Sequence, residues 1–344
     1  MCTRVTTLLI YVSIHMYVVL YNNFLHYLYV IICSFQYVST HCPYVYLYQE
    51  FLWLHDVLEP LSFYHGFSQH VDAVFVQSEF HRGTLPSFLH EMTIILPHGL
   101  DSNYPSASYP SNNVIASNQY EDDNKIEQLV NSNHLFIYAS APVRGLEYVL
   151  KLWPLIKKTL PKAEFEIYYG FDGKVDVMLS EKMGSKEYLE WKEEMFNLMQ
   201  QEGIIYKGMV SQKEMAVAFK KAGFLLYPTT WPETGCITVM KAMASGAIPI
   251  TSRYTHSVLF NLTAGFDMGP QEPLSSSSFE VYGKWLSSWT QSVITAATTD
   301  DHLLTEKRRS MIKYARYTFS WARSALKVLE KALDLDLEWL NPVY

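Results

Sequence analysis

Charge is missing from a long stretch near the start of this chain: between Leu8 and Phe35 there is no Lys, Arg, Asp or Glu. The run is rich in Ile, Leu, Val and Tyr and is long enough to span a bilayer. Arg4 precedes it, so it reads as a candidate signal anchor. His15, Asn22, Asn23 and His26 interrupt it, however, and polar groups are costly to bury in lipid. Three readings stay open for this segment: a membrane anchor, buried strands and helix of a soluble domain, or a non-native extension from a wrong gene start. Glycine is also absent from the first 48 residues. Cysteine is sparse: Cys2, Cys33, Cys42 and Cys236 form no C-x-x-C pair, which argues against a zinc or disulfide framework and favours a reducing compartment. Basic residues are not in excess either, and a formal net charge of -7 argues against a general nucleic-acid binder. There is no internal repeat.

Apolar residues make up 49% of the 344 residues and charged residues 18%, the balance of a globular chain with a sizeable core. After the apolar, aromatic segment 1–48, ordinary patterning begins. Asp72 to Ser78 reads as a strand ending in a Ser cap, Glu79 to Leu89 as a helix, and Ile94 to Gly99 as a strand ending in a turn. Residues 105–133, rich in Pro, Ser and Asn and carrying Glu121-Asp122-Asp123, read as a linker between a partial first domain (49–104) and a second (134–275). In the second domain strands at 134–139, 163–169 and 204–206 alternate with helices at 146–160, 186–201 and 212–222. Such alternation implies a parallel sheet with helices on both faces, and ligands bind such sheets at the carboxyl ends of the strands. Arg144, Gly170 and Glu233 fall at such ends. Residues 276–344 read as helical.

The densest signal is the stretch from Pro232 to Pro249. It lies between the apolar runs Phe224-Leu225-Leu226-Tyr227 and Ile248-Pro249-Ile250, and reads as strand, acidic loop, amphipathic helix, Gly stop, strand. A helix start after a strand end presents free backbone N–H groups and a positive dipole end, which suits a phosphate. Glu233 in the loop can accept hydrogen bonds from sugar hydroxyls. A plain crossover between two strands would look the same from this segment alone.

Several pieces, in order, carry a family likeness. They are Trp53-Leu54-His55-Asp56, the stretch Val71 to Arg82, Ile95-Leu96-Pro97-His98-Gly99-Leu100-Asp101, Arg144-Gly145, Glu233 through Ala247 with its Ala-Met-Ala-x-Gly end, and Phe319-Ser320-Trp321 before a final helix. Residues 51–333 thereby resemble the glycosyl transferases group 1 family, retaining enzymes of the GT-B fold. The resemblance implies an α/β fold of two Rossmann-type domains with parallel sheets, the first incomplete here, and a helical C-terminus. It implies transfer of a sugar from a UDP- or GDP-linked donor to a hydroxyl on a glycan, lipid or protein acceptor. No cofactor or metal is called for. Asp334-Leu335-Asp336 reads as a solvated face instead of a metal motif. By the same likeness Glu233 orients the donor sugar and His55 faces it. Arg144, Ser140, Thr234, Gly235, Cys236, Ile237 and Lys241 line the nucleotide-diphosphate site.

Two departures set up an alternative. Lys241 stands where the family's Glu-x7-Glu motif has its second carboxylate, and a lysine cannot accept hydrogen bonds from ribose hydroxyls. Tyr138-Ala139-Ser140-Ala141 lacks the family's second cation, leaving Ser140 to bond a phosphate oxygen without charge. With no early Gly-rich loop, the rival reading is a catalytically inactive relative acting as a binding or scaffold module. The localisation expected is cytoplasmic, or membrane-associated if residues 8–35 form an anchor. Trp153 and Trp191 read as core, and Trp231 as a candidate for stacking on a ligand.

Overall fold

The structure is a computed structural model that describes residues 15–23, 26–38, 46–54, 72–101, 103–104, 132–171, 174–274 and 279–333. The chain divides into two compact units, one comprising Met1–His98 with Ala322–Tyr344 and the other Gly99–Trp321.

The first unit contains a five-stranded sheet in the order β1 (His15–Asn23), β2 (His26–Val38), β3 (Tyr46–Trp53), β4 (Ala73–Val76), β5 (Thr93–Ile95). The pairs β3–β4 and β4–β5 are parallel, whereas β1–β2 and β2–β3 are antiparallel, so the sheet is mixed. The uncharged N-terminal run therefore becomes two strands of one hairpin, in register from His15 opposite Ser34 to Asn23 opposite His26. Its Val, Ile and Tyr content favours a pleated surface over a helix, and Asn22-Asn23 divides it near the middle. Among the described residues no helix is long and apolar enough to cross a membrane. Of the three readings of this segment, the membrane anchor is not supported.

All four residues of β4 are buried. Val74 and Val76 pack with Leu54, Leu85 and Leu89 on one side, and Ala73 and Phe75 pack with Leu96 on the other. Period-two alternation puts neighbouring residues on opposite faces, and here both faces are covered. The expected helix 79–89 is split into α1 (Glu79–Gly83) and a 3-10 turn at Ser87–Met92. Gly83 and Pro86 account for the break: one is a poor helix former and the other removes a backbone donor. Ser78 caps α1 as expected, accepting from the His81 amide at 3.1 Å. The final helix (Trp321–Leu333) contributes to this same unit. Ser324 Oγ donates to Pro97 O at 2.9 Å, and Val328 packs against the Ala73, Phe75 and Leu96 cluster.

The second unit holds an all-parallel sheet of β6 (Ser132–Ala139), β7 (Glu164–Tyr168), β8 (Ile204–Gly208), β9 (Ala222–Tyr227) and β10 (Ile248–Thr251). The spatial order is β10-β9-β6-β7-β8. Successive strands run outward in one direction from β6 to β8, and the chain then returns to the other side of β6 for β9 and β10. The order of winding therefore reverses between β6 and β9, which defines the topological switch point of a doubly wound sheet. Helices at Leu146–Thr159, Ser185–Leu198 and Gln212–Lys221 match the expected periodicity. A further helix at Lys174–Met183 was not legible from the sequence pattern.

The core of this unit includes a cluster of packed aromatic rings. Trp153 is fully buried, edge-on to Phe136 at 6.1 Å and tilted against Phe165 at 5.3 Å, and its indole N–H donates to Glu202 O at 2.8 Å. Phe136 in turn stacks on Phe224 at 5.6 Å. Arg308 is the unexpected member, nearly buried, with its guanidinium donating to Gly246 O, Gly223 O and Asn133 Oδ1. Burial pushes its pKa down to about 10. Trp153→Ala leaves a large void beside Phe136 and Phe165, and is expected to cost about 3–5 kcal/mol of stability in chemical denaturation.

Candidate functional site

Two strand ends meet at the switch point. From β6 the chain runs through Ser140 to Arg144 and Gly145, which opens the helix α2 (Leu146–Thr159). From β9 it runs through Pro228 to Glu233 and on to Cys236, which precedes the helix α3 (Ile237–Ser245). Both turns are fixed by local chemistry. Gly145 has φ +105°, and a Cβ there would lie 2.6 Å from Pro228 O. Glycine alone tolerates that conformation and that approach. At the far end of α3, Gly246 at φ +90° stops the helix in the left-handed conformation, as the Ala-x-Gly pattern predicts. Thr238 Oγ1 donates to Ala139 O at 3.1 Å, tying the start of α3 to the end of β6.

The loop holds a carboxylate with little access to water. Glu233 is 6% exposed. Arg144 Nη1 donates to Glu233 Oε1 at 2.9 Å, and the Tyr227 hydroxyl donates to the same oxygen at 2.5 Å. The backbone of Glu233 is fixed as well: its amide donates to Trp231 O at 2.9 Å, and its carbonyl accepts from the Val258 amide at 2.7 Å. Arg144 lies with its guanidinium carbon 4.8 Å from the Trp231 ring centroid. Burial opposes the charge on Arg144, but the Glu233 carboxylate outweighs it and raises its pKa further. Arg144 therefore stays cationic under all ordinary conditions.

Around this pair sits a shell of groups that burial keeps neutral. Tyr227 and Tyr138 are held well above the ordinary tyrosine range by burial, their rings 6.1 Å apart. Cys236 is a buried free thiol, its pKa pushed up by burial and then by the nearby Glu233 charge. Ser140 Oγ lies 3.3 Å from the Tyr227 hydroxyl. Proton counting decides that contact. Tyr227 has one hydroxyl proton, and a carboxylate can only accept, so that proton belongs to the shorter bond to Glu233. Ser140 must then be the donor to Tyr227. Its hydroxyl proton is already spent, and the expected bond from Ser140 to a phosphate oxygen would require breaking this one.

Of the sequence-predicted site residues, the structure brings together Arg144, Ser140, Glu233, Thr234, Gly235, Cys236 and Ile237. Thr234 and Cys236 are buried, Gly235 is half-buried and Ile237 is 39% exposed. Lys241, one turn further along α3, makes its contacts elsewhere. Its Nζ donates to Gln212 Oε1 at 2.5 Å, lies 3.3 Å from Asp101 Oδ2 and sits 5.3 Å from the Tyr104 ring centroid. His55 and Asp334-Leu335-Asp336 lie outside the described residues. Trp153 is core as expected, and Trp231 is engaged by a cation. Sequence reasoning missed Tyr227. The signal for it was present: a residue with a polar tip ending an otherwise apolar strand, immediately before a proline.

Residues 119–259 match the family described as glycosyl transferases group 1. Solved structures show the same kind of fold. The Anabaena protein HepE, in complex with UDP and glucose, is 16% identical, with 83% of this chain and 71% of that chain covered and a TM-score of 0.51. The pneumococcal O-GlcNAc transferase GtfA, in complex with UDP and GlcNAc, is 16% identical, with 79% and 46% covered and a TM-score of 0.52. Sucrose-phosphate synthase from Thermosynechococcus elongatus is 14% identical, with 83% and 67% covered and a TM-score of 0.51. A search of curated proteins returned no match. The chain resembles glycosyl transferases group 1, its fold is GT-B-like, and family match and fold together support a glycosyltransferase.

Gly145→Ala tests the geometry of the site without removing a polar group. The left-handed backbone alone costs roughly 1–2 kcal/mol for a residue with a Cβ, and the approach to Pro228 O adds to it. The expected outcome is a clear drop in melting temperature.

Proposed function

We propose that this chain transfers a sugar, with retention, from a nucleotide-diphosphate sugar to an acceptor hydroxyl. The observation that carries the reading is the Arg144–Glu233 pair, set at the switch point of a doubly wound sheet and beside the start of α3. Ligands of such sheets lie outside the carboxyl ends of the strands at that crossing.

The roles follow from donor and acceptor capacity. Arg144 spends one N–H on Glu233 and retains further donors on its guanidinium for the diphosphate. The amides at Gly235, Cys236 and Ile237, at the positive end of α3, complement the charge that develops on the leaving diphosphate. Glu233 accepts both its described bonds on Oε1, so Oε2 is the oxygen left for a hydroxyl of the donor sugar. By the family likeness alone, His55 is the second catalytic residue of this proposal. Lys241, occupied by Gln212 and Asp101, takes no part in holding the ribose in this scheme. The missing carboxylate at that position favours a second reading, a relative that binds a nucleotide sugar without turning it over.

Calorimetric titration with UDP and GDP, followed by transfer assays with the matching sugar donors, separates the two readings. Under the proposed function one nucleotide binds saturably. Arg144→Ala weakens that binding by about tenfold or more, the loss of one charge-assisted hydrogen bond of roughly 1.5–3 kcal/mol, and Arg144→Lys recovers part of it. Glu233→Gln, which keeps shape while removing charge, is expected to lower transfer by on the order of 10²-fold with nucleotide binding intact. Normal transfer by Glu233→Gln would remove Glu233 from the site. Nucleotide binding with no transfer to any acceptor would favour the binding module.

A further inference from the structure

We infer that Tyr227 is the positioning residue for Glu233, holding one carboxylate oxygen so that the other is presented to the donor sugar. This rests on the role proposed above for Glu233.

The argument starts from which atoms are bonded. Arg144 and Tyr227 both address Oε1, and among the described residues Oε2 carries no hydrogen bond. Of the two partners, Arg144 is the less fixed. It is a long side chain with 32% of its surface exposed, and in the proposed reaction it also serves the diphosphate. Tyr227 is fully buried at the end of a fully buried strand, with its ring against Tyr138 and its hydroxyl oxygen accepting from Ser140. A tyrosine has two side-chain torsions, and packing leaves this one no freedom, so its hydroxyl is a fixed point. A carboxylate rotates about its last bond through a broad, nearly two-fold torsion. One strong bond from a fixed donor removes that freedom and decides which oxygen faces out. The contact at 2.5 Å lies in the range of charge-assisted O–H···O bonds. The neighbouring groups that bond Tyr227 leave its proton to Glu233: Ser140 and Arg144 are donors to it, and the Cys236 thiol is a weak partner.

A purely structural Tyr227 and a positioning Tyr227 differ in what they do to ligands with and without a sugar. Tyr227→Phe keeps the ring and removes only the hydroxyl. The affinities of this variant for UDP, UDP-glucose, GDP and GDP-mannose would be measured by calorimetry beside the unmodified chain, with thermal melting as the fold control. The positioning role predicts that the nucleoside diphosphate binds within about twofold of the unmodified chain. It also predicts that the extra affinity conferred by the sugar is lost, and that transfer falls at least tenfold in kcat/KM. Parallel weakening of nucleotide and nucleotide sugar would overturn the inference, since that pattern marks a structural role. So would unchanged sugar affinity and turnover in Tyr227→Phe while Glu233→Gln is inactive, an outcome that leaves the role of Glu233 standing. Normal transfer by Glu233→Gln, or failure of the folded, unmodified chain to bind any of the four probes, would overturn the site reading and the inference with it.

Discussion

A carboxylate can be taken out of water only where its hydrogen-bonding capacity is met by strong donors. The second unit is organised around one such group. Glu233 is held by Arg144 from the turn after β6 and by Tyr227 from the end of β9. Those two strands are adjacent and lie on either side of the reversal in winding order. The backbone features nearby serve the same end. Gly145 lets the turn after β6 approach Pro228, Val258 fixes the Glu233 carbonyl, and Thr238 ties the start of α3 to β6. Without the paired donors the loop would hold an uncompensated charge, a more damaging condition than the loss of an ordinary contact.

The sheet beneath makes that arrangement possible at low polar cost. Every residue of β9 is buried, and its neighbours are joined by stacked, edge-on and tilted aromatic rings from Phe224 through Phe136 to Trp153 and Phe165. Close-packed interiors transmit displacement instead of absorbing it. The end of β9 is thus placed as firmly as its middle. Arg308 works in a similar way at the other end of the strand, satisfying the carbonyls of Gly223 and Gly246 from within the last long helix of the unit.

Much of this was legible in the sequence where local rules and tertiary structure agree. The strand, loop, helix and Gly stop from Phe224 to Ile250 appear as read, because period, breaker and cap all point one way. The alternation that implied a parallel sheet is present in the second unit. Legibility failed where a residue's partner is distant in sequence. Nothing near Arg144 announces that it meets Glu233, eighty-nine residues on, or that Trp231 stacks on it. Lys241 was read against the family's missing carboxylate, yet its nearest charge is Asp101, at the turn that begins the unit. Ser140 was assigned to a phosphate because its type fits, while proton counting in the folded structure commits its hydrogen to Tyr227. The uncharged run at the N-terminus failed for a different reason. A long apolar stretch without clean period or caps fits a helix as well as a strand pair, and only the antiparallel partnering of 15–23 with 26–38 decides between them.

The buried thiol of Cys236 has a practical consequence. Thiolate is the reactive form, and both burial and the adjacent carboxylate hold this sulfur protonated. Buried at the end of the same segment that carries Glu233, the side chain is chemically silent. Any excursion that lifts the loop lets solvent in and moves the sulfur away from that charge, so its rate of alkylation becomes a clock for opening. The chain thus carries an intrinsic gauge of local breathing at its own candidate site, one that needs no introduced label.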